Sequence, residues 1–114
     1  MTRAAAVRFA VEPSAAVLAD ADEPAALLDS DQWVRHERLR QPQDRDDFVA
    51  ARLLTQRLVA EATGQAADEV HFTQHCDHCG GPHGQPRNAA ALHISWSHAQ
   101  GWVAAVVSPQ PCGI

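Results

Sequence analysis

Hydrophobic and polar residues follow two different periods along the chain, one typical of strands and the other of helices. Residues 5–12 alternate between apolar and polar or small side chains, which predicts a strand near the amino end. Residues 92–97 alternate in the same way, and the run 102–107 is apolar enough for a buried strand. Because a short polar connection through Gly101 separates these two runs, they predict a β-hairpin.

The middle of the chain shows the helical period. Residues 23–40 are predicted to be helical, as one helix or as two, because Asp29, Ser30 and Asp31 form a second capping signal inside the stretch. A clearer helix is predicted over residues 44–63, with Gly64 as its stop. Its apolar stripe, which we expect to be buried, consists of Phe48, Ala51, Leu54, Thr55, Leu58, Val59 and Ala62.

Composition and charge narrow the class of protein. The chain has 114 residues, of which 46% are hydrophobic, and this is enough for one small globular domain. The net charge of −5 argues against nucleic acid or a membrane surface as a partner. No apolar run approaches the ~20 residues of a spanning helix, and no signal peptide is apparent, so a cytoplasmic location is the default prediction.

The basic residues are unevenly distributed. All nine are arginines, and six of them lie within residues 35–57, where a phosphate-bearing ligand would find its donors. On a helical projection, Arg45 and Arg52 border the apolar stripe, a position that lets an arginine bury its stem while its head faces a cleft. The alternative is a solvated helical face whose arginines are balanced by interleaved acids.

A second group of candidate residues follows the long helix. Residues 70–73 predict a short strand, and residues 76–87 predict a loop because they contain three glycines and two prolines. Within this loop Cys76 and Cys79 form a C-x-x-C pair, with His83 four residues beyond, which makes half of a typical zinc site. Reduced thiols in an ordinary loop and a redox disulfide are the alternatives.

Taken in order, these features resemble the amino-terminal half of an Sfp-type 4′-phosphopantetheinyl transferase. The resemblance rests on the arginines of residues 35–57, the motif Cys-x-x-Cys-Gly-x-x-His-Gly-Gln-Pro, the pair Ser97-His98 and the tail Pro-Cys-Gly-Ile, and it covers residues 28–114. Such enzymes move the phosphopantetheine arm of coenzyme A onto a serine of an acyl or peptidyl carrier protein, with magnesium in a cleft between two similar lobes. For residues 1–114 the resemblance implies a single amino-terminal lobe of α+β class, with a small antiparallel sheet packed on a long helix.

The resemblance also implies a site for coenzyme A. Arg35 and Arg38 match basic positions near its 3′-phosphate, and His98 matches an imidazole that reaches the phosphates. Gln85 stands where the family has a lysine, and Val49 stands where some members have a threonine, so a weaker affinity for coenzyme A is expected. With two arginines added from the helical projection, the predicted coenzyme A-binding residues are Arg35, Arg38, Arg45, Arg52, Gly84, Gln85, Pro86, Ser97 and His98.

Catalysis is not expected from this chain alone. In the family the Gly-Ile pair is followed directly by Asp-x-Glu, which holds magnesium, whereas this sequence ends at Ile114. We therefore expect no catalytic residues here and magnesium only in the complete enzyme. The sequence is then either a truncated form of such an enzyme or one piece of a split enzyme, whose acidic lobe a second polypeptide supplies. Two alternatives stay open. One is a remnant without activity, and the other is a zinc-knuckle-like binding module built on Cys76, Cys79 and two of the histidines His71, His75, His78 and His83.

Overall fold

The computed structural model describes residues 7–74, 76, 78–81, 86–87 and 92–114. Three strands of these residues form one antiparallel sheet in the order β1-β3-β2. Three helices lie between β1 and β2 along the chain. The elements are β1 (Arg8–Pro13), α1 (Ser14–Ala19), α2 (Ser30–Arg38), α3 (Pro42–Thr63), β2 (His93–Ala99) and β3 (Trp102–Ser108), with 3₁₀ turns at Pro24–Leu27 and Ala67–Glu69.

Helix α2 begins at the predicted second cap. Asp29 Oδ1 accepts a hydrogen bond from the Gln32 amide at 2.8 Å, and Gln32 Oε1 accepts one from the Asp29 amide at 3.0 Å, so the capping box is complete. The two-piece interpretation of residues 23–40 is therefore confirmed, although the first piece is only a 3₁₀ turn. Helix α1 was not predicted from the residue pattern; it starts directly after Pro13.

Helix α3 has the termini that its sequence favours. The helix starts at Pro42, two residues before the predicted boundary. A proline is tolerated in the first turn because an amide proton there has no partner within the helix. Gly64 ends it in the left-handed conformation, with φ of 77° and its N–H donating to the Ala60 carbonyl at 2.9 Å. The predicted stripe is buried except for Ala62, which is half-buried.

The predicted hairpin is confirmed. Strands β2 and β3 pair antiparallel with Ala99 opposite Trp102, and Gln100 and Gly101 form the two-residue turn. Both turn residues have positive φ, 50° and 89°, as such a turn requires. The face of the sheet that packs on α3 carries the fully buried side chains Ile94, Val103, Ala105 and Val107.

The other face of the sheet, which we call the outer sheet face, is apolar and exposed. It carries Phe9 and Val11 of β1 and Trp102 of β3, which share one side because residues alternate along each strand. Their exposed fractions are 73%, 58% and 55%. Three large apolar side chains are therefore exposed on the same face of the sheet.

The predicted strand over residues 70–73 is wrong. Thr73 forms a single antiparallel bridge to Arg87, and the strand does not continue. Val70 and Phe72 are nevertheless buried against the core, so the apolar pattern reflected burial rather than strand pairing.

No helix in the described residues is long and apolar enough to cross a membrane.

Candidate functional site

Two of the predicted arginines, from different helices, meet at one side chain. Arg35 in the last turn of α2 donates from Nη1 to Gln74 Oε1 at 3.0 Å. Arg52 in the middle of α3 donates from Nη2 to the same oxygen at 3.4 Å. A single amide oxygen thus holds two guanidinium groups close together. We call Arg35, Arg52 and Gln74, with the aromatic rings of Phe48 and Trp96, the arginine cluster.

Arg52 is buried, whereas the sequence predicted a head that faces a cleft. Only 1% of its surface is exposed. Its Cζ lies 3.5 Å from the centroid of the Phe48 ring and 4.8 Å from that of Trp96, so the guanidinium is in contact with two aromatic rings. Nη1 donates to the Phe48 carbonyl at 2.9 Å, while Nε is buried with no hydrogen-bond partner among the described residues.

The charge of Arg52 is poorly compensated. Burial, together with the positive charge of Arg35, lowers the pKa of Arg52 to about 9, and the carboxylate of Asp29 acts in the opposite direction. Arg52 forms no salt bridge within the part of the chain that the structure describes. An anion bound beside the guanidinium would therefore stabilise its charged form.

The other two predicted arginines have different positions. Arg38 is exposed at the end of α2, three residues beyond Arg35 and so on the same side of the helix. Arg45 closes the connection between α2 and α3, because its Nε donates to the Leu39 carbonyl at 2.7 Å and its Nη2 to the Glu37 carbonyl at 3.4 Å. The guanidinium of Arg45 thus binds the main chain rather than the side chains of the arginine cluster.

Strand β2 places Ser97 and His98 on opposite faces of the sheet, because both lie in one strand. Both are exposed near its end. His98 shares a face with Trp96, two residues away, and that face packs on α3. Its imidazole is near enough to Asp47 to contribute to lowering the pKa of that carboxyl group. The imidazole and the arginine cluster therefore lie on the same side of the sheet.

Asp47 is a fully buried carboxylate that the sequence patterns did not single out. Its Oδ1 accepts hydrogen bonds from Ser14 Oγ at 2.5 Å and Gln43 Nε2 at 2.9 Å, and its Oδ2 accepts one from the Gly101 amide at 3.0 Å. Burial by itself raises the pKa of Asp47, but hydrogen bonds from Ser14, Gly101 and Gln43 outweigh it and the pKa is lowered. Asp47 thus ties the starts of α1 and α3 to the β2–β3 turn.

The predicted nucleotide loop falls mostly outside the described residues. Gly84 and Gln85, which the resemblance assigns to coenzyme A binding, are outside the described residues. Pro86 is half-buried and directly precedes Arg87, whose main chain exchanges two hydrogen bonds of 2.9 Å with Thr73. That bridge places the end of the loop beside the segment that carries Gln74.

The two cysteines of the C-x-x-C pair lie in a tight turn. The Gly80 amide donates to the Cys76 carbonyl at 2.8 Å, and the Gly81 amide donates to Cys79 Sγ at 3.3 Å. His83 lies outside the described residues. Within those residues no group of three or more potential metal ligands occurs, and the zinc site stays a prediction.

Sequence reasoning missed three residues of the arginine cluster. Phe48 was assigned to the buried stripe and to a Phe-x-x-x-Arg spacing within the resemblance, but not to a binding site. Trp96 was assigned to a strand, and Gln74 followed an apolar run with no motif around it. One local pattern does pair Phe48 with Arg52. On a helix, an arginine four residues after an aromatic residue lies close enough to stack its guanidinium on the ring. The position of Gln74 has no comparable local pattern.

Comparisons with known proteins bear on the fold. No family model and no curated protein matches this sequence. A solved structure of a holo-(acyl-carrier-protein) synthase from Bacillus anthracis str. Ames, in complex with CoA (3′,5′-ADP), is similar with a TM-score of 0.63, covering 91% of this chain and 94% of that chain. At 16% identity the similarity shows the fold alone. The predicted fold class is confirmed: the chain has one lobe of the 4′-phosphopantetheinyl transferase fold, with a small antiparallel sheet on a long helix.

The fold family implies magnesium, and the described residues do not fit it. They contain no group of three or more potential metal ligands. The buried carboxylate of Asp47 uses both oxygens for hydrogen bonds within the protein. No step of the chemistry is therefore assigned to a metal on the described part of this chain.

Proposed function

We propose that this chain acts as the amino-terminal lobe of an Sfp-type 4′-phosphopantetheinyl transferase and binds the phosphates of coenzyme A at the arginine cluster. The observation that carries the proposal is the buried guanidinium of Arg52, stacked on Phe48 and without a salt bridge among the described residues. The solved neighbour of the same fold is in complex with CoA, which supports this choice of ligand.

The charges of the site suit a phosphate. Arg35 and the exposed Arg38 lie one turn apart on α2, so both can donate to one phosphate group. Arg52 adds positive charge from the interior, where screening by water is weak and the interaction is stronger than at the surface. We assign the 3′-phosphate to these arginines and the pyrophosphate to the end of β2, where His98 is exposed.

In the complete reaction this lobe would bind and orient coenzyme A. The phosphopantetheine arm would be transferred to a serine of an acyl or peptidyl carrier protein, and magnesium and the deprotonation of that serine would depend on the second lobe. Transfer of this kind depends more on positioning and metal-ion charge than on covalent chemistry by the protein. The chain alone is therefore proposed to bind coenzyme A without turnover.

The outer sheet face supports a second lobe supplied by another polypeptide. Phe9 and Trp102 expose 73% and 55% of their surfaces there, and a covering lobe would remove this apolar area from water. Adding the separately produced carboxy-terminal lobe of an Sfp-type enzyme should restore transfer to a carrier protein. The double substitution Phe9→Ser with Trp102→Ser should prevent that restoration. Restoration by the substituted chain would rule out this face as the lobe interface.

The nucleotide site is tested by comparing coenzyme A with dephospho-coenzyme A in calorimetric titrations of the whole chain. Removal of the 3′-phosphate should weaken binding by about tenfold or more, since it removes charge-assisted hydrogen bonds. The substitution Arg35→Gln with Arg38→Gln should make the two ligands equal. Arg8→Gln with Arg57→Gln is the control, because it changes two arginines that face Glu61 and lowers the net charge equally; it should retain the preference. Equal affinities of the unsubstituted chain for both ligands would contradict the site.

A zinc-knuckle-like module is the second candidate function, and the turn at the cysteines favours it. The Gly81 amide donates to Cys79 Sγ, so the main chain of this turn holds one of the two candidate zinc ligands in place. Purified chain should then contain stoichiometric zinc that Cys79→Ser removes. Metal-free, folded protein would exclude this module and leave the nucleotide site unaffected.

A further inference from the structure

A groove on the side of α3 that carries Leu53 is not used by the proposed nucleotide site. It has a volume of about 590 Å³ and shares no lining residue with the arginine cluster. Four branched aliphatic side chains form its floor, and two of them, Val17 and Val70, belong to the buried core. A volume in this range is typical of sites for small organic molecules. The floor residues are Val17, Leu27, Leu53 and Val70.

The rim of this groove is acidic. Asp20, Asp22 and Glu23 line it from the connection after α1, and Asp68 lines it from the second 3₁₀ turn. All four are exposed. In the described structure none of them forms a salt bridge. Two acidic segments that are far apart in the sequence are thus brought to one cavity by the fold.

The nearby arginine does not neutralise this rim. Arg57 lines the groove, but its guanidinium is bound by Glu12 of β1 and lies 3.8 Å from Glu61. Asp20 of the rim also interacts with this guanidinium, so the single charge of Arg57 is shared among three carboxylates. The other three acids of the rim form no salt bridge with it among the described residues. The groove therefore combines an apolar floor with an excess of negative charge, and the complementary ligand has an apolar body and a positive charge.

We propose that this groove binds a small organic cation of the alkylammonium class, with its hydrocarbon portion on the aliphatic floor and its ammonium group among the rim carboxylates. The site is independent of coenzyme A binding. An anionic ligand of the same shape is excluded by charge, and a small inorganic cation gains nothing from the floor. Both parts of the groove are therefore needed for recognition.

The test uses alkylammonium ions as probes in calorimetric titrations of the whole chain. Octylammonium should bind more tightly than hexylammonium by roughly two- to fourfold for each added methylene, because each is removed from water on the floor. Octanoate, with a similar chain and the opposite charge, should not bind measurably. Equal affinities of hexylammonium and octylammonium, or comparable binding of octanoate, would overturn the proposal.

Two variants locate the binding. Asp22→Asn with Glu23→Gln should weaken octylammonium binding by about fivefold or more, since two carboxylates are lost from the rim. Asp44→Asn with Asp46→Asn is the matched control, because these exposed acids in the first turns of α3 do not line the groove and the net charge changes equally. An equal loss in both variants would show non-specific attraction and overturn the site.

Ala26→Phe tests the cavity without changing charge. Ala26 is exposed and lines the groove, so a benzyl group there should occupy part of the volume while leaving the core intact. Octylammonium affinity should fall at least fivefold in a variant with native circular dichroism. Unchanged affinity in that folded variant would refute the groove. If Ala26→Phe is unfolded, the octylammonium affinities of the rim variant and of its control decide whether the groove is the binding site.

Discussion

Replacing Asp47 by asparagine removes the carboxylate that joins three parts of the fold. The substitution keeps the size of the side chain but replaces one acceptor oxygen by an NH₂ group. If the remaining oxygen keeps Ser14 and Gln43, the NH₂ faces the Gly101 amide, which now lies 3.0 Å from a donor rather than an acceptor. The Gly101 carbonyl still accepts from the Ser14 amide at 2.8 Å, so the turn is weakened rather than released.

The expected cost follows from these contacts. Loss of one hydrogen bond to a charged group costs about 1.5–3 kcal/mol, and the amide donor left without an acceptor in a buried site adds about 1 kcal/mol. Conversion of the other two bonds from charged to neutral weakens them further. The free energy of unfolding should therefore fall by about 3–4 kcal/mol, a large share of the stability of a domain of this size.

Urea denaturation followed by tryptophan fluorescence measures this difference. Asp46→Asn, one residue earlier and exposed, is the control and should change the unfolding free energy by less than about 0.5 kcal/mol. Equal stability of the two variants would refute the structural role of Asp47.

The pH dependence gives an independent check. The folded-state pKa of Asp47 lies below its ordinary value of 3.8, so its contribution is complete above that pH and is lost as the pH falls through the folded-state value. Stability of the unsubstituted chain should drop more steeply below about pH 4 than that of Asp47→Asn. Parallel pH profiles would contradict this assignment.

Three further substitutions test other features of the structure. Gly64→Ala should lower the unfolding free energy in urea by about 1 kcal/mol because φ is 77°, whereas Gly113→Ala should be neutral; equal effects would contradict the cap. Arg52→Met should leave stability unchanged or raise it by about 1 kcal/mol, while it weakens binding of coenzyme A in calorimetry by about fivefold or more; unchanged affinity would exclude Arg52 from the site. Arg57→Gln should cost less than about 1 kcal/mol, because the partly exposed pair with Glu12 is screened by water, and the cost should shrink in 1 M salt. A cost that is independent of salt would contradict the ion-pair account.

Much of the fold could be predicted because it depends on near neighbours. The capping box at Asp29 and the stop at Gly64 each involve residues within four positions along the chain. The β2–β3 hairpin likewise depends on alternation and on a two-residue turn. The strand predicted over residues 70–73 failed because an apolar run shows that a segment is buried without showing whether a partner strand lies beside it.

The candidate site could be predicted only in part. Arg35 was identified from the resemblance and Arg52 from the helical projection, but the sequence did not show that one amide oxygen of Gln74 joins them. The exposure predicted for Arg52 was wrong, because a helical projection gives the direction of a side chain and not what packs over it. Trp96, from a strand far along the chain, covers that position.

By itself the sequence determined helices α2 and α3, the hairpin, the arginine-rich segment and the resemblance to one lobe of a transferase, since each depends on residue type and local spacing. Only the tertiary structure decided that β1 pairs with β3, with Arg8 opposite Val107, and that the buried charges of Asp47 and Arg52 lie beneath the sheet. It also decided that two acidic segments line one groove. These features arise from contacts between residues far apart in the chain, and their energies depend on burial, which no local pattern specifies.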